Sequence, residues 1–268
     1  MTIELHTWNT PNGRKISVAL EEMGLPYKVI PVNITKGEQM APAFLKLSPN
    51  NKIPAIVDPD GPGGNPVSIF ESGAILLYLG EKTGQFLPKP LAERIPVYEW
   101  LMWQMGGFGP MPGQVHHFIA LENEQDRAYG LNRYMKETRR LYDVLNKRLA
   151  GGEFVAGPLS VADFAILGWA WRHPRHKVEL KDFPNVERWY NQLMARPATK
   201  RGMEAKLRLC RIADAIRVRG THHELDSHLF CGGNPSPQPS PRKSGARELK
   251  AQSSFASMPR LVAGRAIS

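Results

Sequence analysis

The chain has 268 residues, 42% of them hydrophobic, and a formal net charge of +10. This length is enough for a substantial core in one large or two modest domains. The apolar residues form no run of the roughly 18 that a membrane span needs, and no basic and apolar leader opens the chain, so we expect a cytoplasmic protein without membrane attachment.

The basic excess is concentrated at the C-terminal end. Residues 207–268 hold ten Lys and Arg against four Asp and Glu, which leaves +4 for the first 206 residues. This small excess lies among charges of both signs and predicts no nucleic-acid binding by the folded part. Cys210 and Cys231 are the two cysteines, so residues 1–206 have no disulfide framework and any sulfur chemistry there needs a thiol from another molecule.

The chain opens with a strand pattern, a proline turn and a helix pattern. Residues 3–7 alternate in polarity, and the sequence TPNGRK follows at 10–15. A thioredoxin-like redox site would carry a Cys-x-x-Cys pair at this helix start, because a helix N-terminus stabilises a thiolate. Thr, Pro, Asn and Gly occupy the four positions. The helix period is carried by Ile16, Ala19, Leu20 and Met23.

Alternating strand and helix signals continue to residue 86. The run YKVIPVNI (27–34) predicts a second strand, a short helix is expected at 43–46, and the apolar runs within 48–58 and 66–70 read as a hairpin. Ser72 then begins a helix that extends to about Lys82 and is capped by Gly84. The order β-α-β-α-β-β-α predicts an α/β domain over residues 1–86.

Long helical periods replace the strand signals from about Leu91 and predict an all-helical domain at 91–206. Ser160 and Asp163 have the spacing of a capping box, which we expect to serve folding. Residues 207–268 include a Pro-, Ser- and Arg-rich stretch without sustained apolar period, and this composition predicts a disordered basic tail.

Motifs from both predicted domains carry a family resemblance. NKIPAI (51–56), ESGAILLYL (71–79) and SVADF (160–164) resemble the cytosolic glutathione transferases, over about residues 1–206. The resemblance implies a thioredoxin-like N-terminal domain followed by an all-α C-terminal domain. Four longer motifs resemble those of the bacterial nu class of this family: TPNGRK, SPNNKIPAIVD, IFESGAILLYLGEKTG and WQMGGFGPMPGQVHHF. The characterised members of that class are glutathione-dependent disulfide-bond reductases.

The resemblance implies a glutathione site. Ser72 and its helix N-terminus would take the α-carboxylate of the γ-glutamyl end, and Glu71 would pair with the ammonium group. Ile53 and Pro54 match a cis-proline turn that directs the Ile53 backbone toward the cysteinyl part. Gln39 matches a glutathione-contacting position. From the residues alone, Gln39 is equally a solvated loop amide, and Glu71-Ser72 an ordinary helix start.

A homodimer is also implied by the resemblance. Family members of this class are homodimers, and an arginine matching Arg133 reaches the glutathione of the other subunit. A planar guanidinium suits a carboxylate. Without the resemblance, Arg133 is one of several basic residues on a predicted helix.

Thr10 and Asn12 are the candidate catalytic residues, and Asn12 is also a candidate glutathione contact. A free thiol has a pKa of about 8.5, so disulfide exchange at neutral pH needs a stabilised thiolate. The Thr10 hydroxyl, the Asn12 amide N–H₂ and the helix beginning near Gly13 together can lower a thiol pKa by about one to two units. On the residues alone, Thr10 is equally an N-cap and Asn12 a turn residue.

We therefore predict a homodimeric glutathione-dependent disulfide reductase that uses glutathione as its co-substrate. A transferase or peroxidase acting on small electrophiles is an alternative, because the same thiolate would attack a different acceptor. A non-catalytic binding protein of this fold is another. No metal site is predicted, since no acidic or cysteine partner lies at ligand spacing from the candidate histidines His116, His117, His173 and His176.

Overall fold

A computed structural model of the protein describes residues 2–205. The tail predicted at 207–268, with both cysteines, lies outside this range. The N-terminal part of the described chain is built on a four-stranded sheet whose spatial order is β2-β1-β3-β4. The strands are β1 (Ile3–Thr7), β2 (Tyr27–Pro31), β3 (Ala55–Asp58) and β4 (Val67–Phe70).

The sheet contains one parallel and two antiparallel pairings. Strand β1 runs parallel to β2 and antiparallel to β3, and Leu5 is opposite both Val29 and Ile56. Strands β3 and β4 form an antiparallel pair, which confirms the predicted hairpin. Parallel β1 and β2 need a crossover connection, and the first helix supplies it.

Nine α-helices occur in the described residues. A π-helical segment, Gln104–Phe108, follows the fourth, and 3-10 turns lie at Ile34–Lys36, Glu38–Met40, Pro62–Gly64 and Leu180–Asp182. Within residues 2–205, no helix is both long and apolar enough to cross a membrane. The helices are α1 (Pro11–Glu22), α2 (Pro42–Leu45), α3 (Ser72–Thr83), α4 (Leu91–Trp103), α5 (Pro110–Ile119), α6 (Glu124–Ala150), α7 (Val161–Ala170), α8 (Pro184–Ala195) and α9 (Pro197–Met203).

Strand β2 is shorter than the sequence pattern predicts. The apolar run extends to Ile34, but the strand ends at Pro31, opposite Thr7, where its partner strand β1 also ends. Asn33 then redirects the chain, because its side-chain oxygen accepts a hydrogen bond from the Thr35 backbone N–H at 3.0 Å. The strand loses three of the predicted residues to this turn.

Helix α1 is the element that joins the sheet to the helical part. It packs against α3 on the sheet side and against α7 and α9 on the other, and one continuous apolar core includes residues from both predicted domains. Two glycines permit the close approach. A Cβ atom on Gly13 would lie 2.2 Å from Thr7 Oγ1, and one on Gly168 would lie 2.7 Å from the Pro11 carbonyl oxygen. The start of α1 is therefore held between β1 and α7.

The predicted capping box at the start of α7 is present. The carboxylate of Asp163 is fully buried and accepts hydrogen bonds from the Ser160 backbone N–H and hydroxyl, both at 3.0 Å. It also accepts from the Val155 backbone N–H at 3.1 Å and from Trp189 Nε1 at 3.0 Å. Burial raises the pKa of Asp163 to about 6, and the four donors act in the opposite direction. One side chain thus ties α7 to α8 and to the preceding loop.

Asp163→Asn should destabilise the fold by about 2–4 kcal/mol, because one acceptor oxygen becomes an amide that faces buried donors. Urea unfolding measures the change, and Ser160→Ala is the matched variant, expected to cost only about 1 kcal/mol through loss of the cap. An Asp163→Asn protein that unfolds at the same urea concentration as the wild type would show that this network does not support the fold.

Candidate active site

Thr10 lies between β1 and α1 as the N-cap of the helix. Its Oγ1 accepts a hydrogen bond from the Gly13 backbone N–H at 3.2 Å. Because the oxygen acts as acceptor in this bond, the hydroxyl proton stays available to a further acceptor. The capping and donor interpretations of Thr10 are therefore compatible.

Asn12 is oriented by a tryptophan from the helical part of the chain. Trp169 Nε1 donates a hydrogen bond to Asn12 Oδ1 at 2.9 Å. An indole N–H is only a donor, so this contact identifies the Asn12 oxygen and leaves the N–H₂ group directed elsewhere. Sequence analysis missed Trp169, because 157 residues separate the two partners.

The indole of Trp169 is itself held in a stack with two histidine rings, of which His176 is buried and His116 half-buried. It lies parallel to His116, with 6.0 Å between the ring centroids, and to His176 at 6.2 Å. Tyr142 Oη and His176 Nδ1 are 3.0 Å apart and form a hydrogen bond. Burial lowers the pKa of His116 to about 4 and lowers that of His176 still further. Both rings are neutral near pH 7, so the stack that supports Trp169 carries no charge.

Glu71 and Ser72 lie where β4 gives way to α3. Ser72 is the first residue of the helix and is buried, whereas Glu71 is exposed and receives a hydrogen bond from Asn50 Nδ2 at 3.4 Å. Glu71 has φ +67° and ψ 114°, a conformation that costs a residue with a side chain about 1–3 kcal/mol. Backbone conformations of this kind are concentrated at functional positions. The role of Glu71 toward glutathione stays a prediction.

The turn before β3 contains the predicted cis peptide. The Ile53–Pro54 bond is cis, as the resemblance implies, and β3 begins at the next residue. Gln39 lies in the 3-10 turn after β2, with its Oε1 buried and without a hydrogen-bond partner in the described part of the chain. An acceptor in this state is suited to a donor from a ligand.

Arg133 lies on α6, in the helical part of the chain. It is exposed on α6, has no ion-pair partner within 4.0 Å among residues 2–205, and shares no hydrogen bond there with Thr10, Asn12 or Ser72. It lines a surface groove of about 630 Å³ together with Met111, Tyr129, Asn132, Tyr134, Lys136, Glu137 and Arg140.

Lys15 is a second residue that sequence analysis missed. Its side chain is 1% exposed, and burial lowers its pKa to about 7, although the charge of Glu71 acts to raise it. The Nζ atom donates to Ser72 Oγ at 3.1 Å and to Gln104 Oε1 at 2.6 Å. A signal existed in the sequence, because Lys15 shares the i, i+4, i+8 stripe of α1 with Ala19 and Met23.

Metal ligands do not cluster in residues 2–205. No group of three or more His, Cys, Asp or Glu there could hold a metal ion. His116 and His176 stack with 4.9 Å between their centroids.

Comparison with known proteins relates most of the described residues to one family. The model of the glutathione S-transferase N-terminal domain matches residues 10–82, and that of the C-terminal domain matches residues 110–197. The chain belongs to the glutathione transferase family. This confirms the predicted fold class, with a thioredoxin-like domain followed by a helical one.

Similar members of the family include a bacterial disulfide-bond oxidoreductase. The disulfide-bond oxidoreductase YfcG of Escherichia coli is 49% identical over 199 residues, which cover 74% of this chain and 92% of that protein. This relationship confirms the prediction of an enzyme.

Two solved structures of the family are also close in shape. A glutathione transferase family member from Pseudomonas fluorescens, with two glutathione bound, has a TM-score of 0.72 and 46% identity, covering 76% of this chain and 92% of that one. A glutathione transferase from Pseudomonas putida has one glutathione disulfide bound per subunit. Its TM-score is 0.71 at 43% identity, covering 76% of this chain and 91% of that one.

Proposed function

We propose that the protein is a glutathione-dependent disulfide reductase whose reactive sulfur is the thiol of bound glutathione. The observation that carries this proposal is the pair of donors at the start of α1: the Thr10 hydroxyl, whose oxygen already caps the helix, and the Asn12 amide, whose oxygen is occupied by Trp169. Residues 2–205 contain no cysteine, so a thiolate stabilised there belongs to a ligand.

Glutathione binding uses the surfaces around this pair. Its γ-glutamyl carboxylate binds at the N-terminus of α3 beside Ser72, where the helix dipole favours an anion. Glu71 pairs with the ammonium group, and the Ile53 backbone before Pro54 pairs with the cysteinyl residue. The buried, unpartnered oxygen of Gln39 accepts a further hydrogen bond. The relatives solved with glutathione or its disulfide support this ligand.

The reaction proceeds through two thiol–disulfide exchanges. Glutathione thiolate, stabilised by Thr10 and Asn12, attacks one sulfur of the acceptor disulfide, whose S–S bond breaks as a mixed disulfide forms. The released thiolate takes a proton from water. A second glutathione thiolate attacks the mixed disulfide, which yields glutathione disulfide and the second acceptor thiol. Two glutathione molecules are oxidised and one disulfide is reduced.

A comparison of two acceptors tests the reaction class. The purified protein should reduce 2-hydroxyethyl disulfide with glutathione much faster than it conjugates a chloro-dinitroaromatic compound. Fast conjugation with negligible disulfide turnover would instead identify a conjugating transferase, and no turnover of either acceptor despite glutathione binding would identify a binding protein.

Removal of the Thr10 hydroxyl should lower kcat/KM for disulfide reduction by roughly 10- to 100-fold, because one charge-assisted hydrogen bond to the thiolate is lost. Steady-state kinetics of Thr10→Ala measure this loss, with Thr10→Ser as the control that keeps the hydroxyl. Thr10→Asp separates catalysis from capping, since its carboxylate caps α1 but repels a thiolate. Full activity in Thr10→Asp would contradict the donor role.

Trp169→Phe should lower kcat by roughly 2- to 10-fold with little change in the KM for glutathione, because the Asn12 amide loses the hydrogen bond from Trp169 that orients it. Trp171→Phe is the matched control, since that indole stacks on Arg14 and Arg172. Equal effects of the two substitutions on kcat would contradict a specific role of Trp169.

The proposed assembly is a homodimer in which Arg133 serves the site of the other subunit. Two observations support it: Arg133 has no ion-pair partner among the described residues, and α4 exposes an apolar stripe. Leu91, Ile95 and Met102 of that stripe are 66%, 47% and 52% exposed. Exposed apolar stripes of this kind are typical of protein interfaces.

A subunit-mixing experiment tests the crossover. Arg133→Ala and Thr10→Ala homodimers should each have low activity, but a refolded equimolar mixture should recover about a quarter of the wild-type activity, because half of the dimers then hold one intact site. Recovery no greater than the average of the two homodimers would show that Arg133 does not act across the interface.

A further inference from the structure

Lys15 is a buried amine that has no carboxylate partner among residues 2–205. All three of its hydrogen-bond contacts are neutral: Ser72 Oγ at 3.1 Å, Gln104 Oε1 at 2.6 Å and Met105 Sδ at 3.4 Å. The carboxylate whose charge acts on the Lys15 pKa is that of Glu71, whose side chain is exposed. A buried charge normally has a counter-ion, because taking it out of water is costly.

The surroundings of Lys15 show that it is fixed in this position. Its stem passes under α7, where a Cβ atom on Gly168 would lie 2.8 Å from Lys15 Cγ. Ser72, whose Oγ accepts the hydrogen bond from Nζ, is also the first residue of α3. The ammonium is thus directly behind the point where the helix N-terminus offers its free backbone N–H groups.

We propose that Lys15 is the electrostatic positioning residue of this anion site, and that its counter-ion is the α-carboxylate of the γ-glutamyl end of glutathione. This inference rests on the proposed function. A carboxylate bonded to Ser72 Oγ lies within about 4–6 Å of Nζ, a separation at which an opposite charge strongly favours the charged form of a lysine. The bond from Nζ also occupies a lone pair of Ser72 Oγ, and the Ser72 hydroxyl, which donates to Met105 Sδ at 3.6 Å, would turn its proton to the stronger carboxylate acceptor.

Carboxylate binding should therefore be coupled to proton uptake by Lys15. The groups bonded to the ammonium are neutral on α3 and on the π-helical segment, and Gly168 of α7 lies against the lysine stem. Glu71 is the acidic residue whose charge reaches it. With a pKa of about 7, Lys15 is largely neutral at pH 8 before binding, and the bound carboxylate raises that pKa. Affinity for the carboxylate should accordingly fall as the pH rises above about 7.

Calorimetry with S-methylglutathione tests this coupling, because the ligand has no thiol proton to release. Titrations at pH 8 in two buffers with different ionisation enthalpies give the number of protons taken up. Wild-type protein should take up a substantial fraction of one proton. Lys15→Met should bind at least roughly tenfold more weakly and lose that uptake.

Gln104→Glu provides an independent arm that does not remove the lysine. The new carboxylate would neutralise Lys15 from inside the protein, and Gln104 Nε2 has no hydrogen-bond partner among the described residues to lose. This variant should be at least as stable to urea as the wild type, yet bind S-methylglutathione more weakly and with less proton uptake. If Lys15→Met fails to fold, the affinity and proton uptake of Gln104→Glu alone test the proposal.

Lys82→Met is the matched control at the other end of α3, where Lys82 pairs with Asp58 at 3.1 Å. It should change neither affinity nor proton uptake. Wild-type affinity and uptake in Gln104→Glu would overturn the proposal and leave Lys15 a structural residue, while the proposed function stands. If the wild type itself does not bind S-methylglutathione, the proposed function fails together with this inference.

Discussion

The site depends on the position of the first turn of α1. This turn is compressed between β1 and α7, and glycine is required on both sides: Gly13 faces Thr7, and Gly168 faces Pro11. Because there is no room for a Cβ atom at either contact, the turn has little freedom to move. Thr10 and Asn12 are therefore presented from a rigid support, which a thiolate site needs in order to aim its hydrogen-bond donors.

The proposed ligand lies between the N-termini of α1 and α3, and each helix would contact a different part of it. In the proposed complex, the start of α1 would provide donors for the sulfur, and the start of α3 would provide them for the carboxylate. Lys15 links the two, since it is on α1 and donates to Ser72 on α3. If the ligand binds as proposed, a shift of α1 relative to α3 would disturb its sulfur and its carboxylate together.

Sequence patterns predicted the parts of the structure that local interactions determine. The hairpin, the Gly84 cap and the Ser160–Asp163 capping box are each specified by residues close in the chain, and each is present. The end of β2 was predicted too late, because the apolar run continues past Pro31, where pairing stops. The cis bond before Pro54 came from the family resemblance, since composition alone favours trans.

The residues that were missed depend on contacts between distant parts of the chain. Trp169 reaches Asn12 only because α7 crosses α1, and no local pattern distinguishes it from Trp171. Lys15 looks like an exposed lysine until its stripe on α1 is seen to be buried on all sides. The roles of Thr10, Asn12, Gln39, Ile53, Pro54, Glu71, Ser72 and Arg133 toward glutathione stay predictions.

The pKa of the glutathione thiol in its complex with the protein tests the central claim most directly. Ultraviolet absorbance of the thiolate, recorded against pH on the saturated complex and on free glutathione, gives both values. The account predicts that the bound thiol titrates about one to two units below the free thiol. A bound thiol that titrates at the same pH as the free one would contradict it.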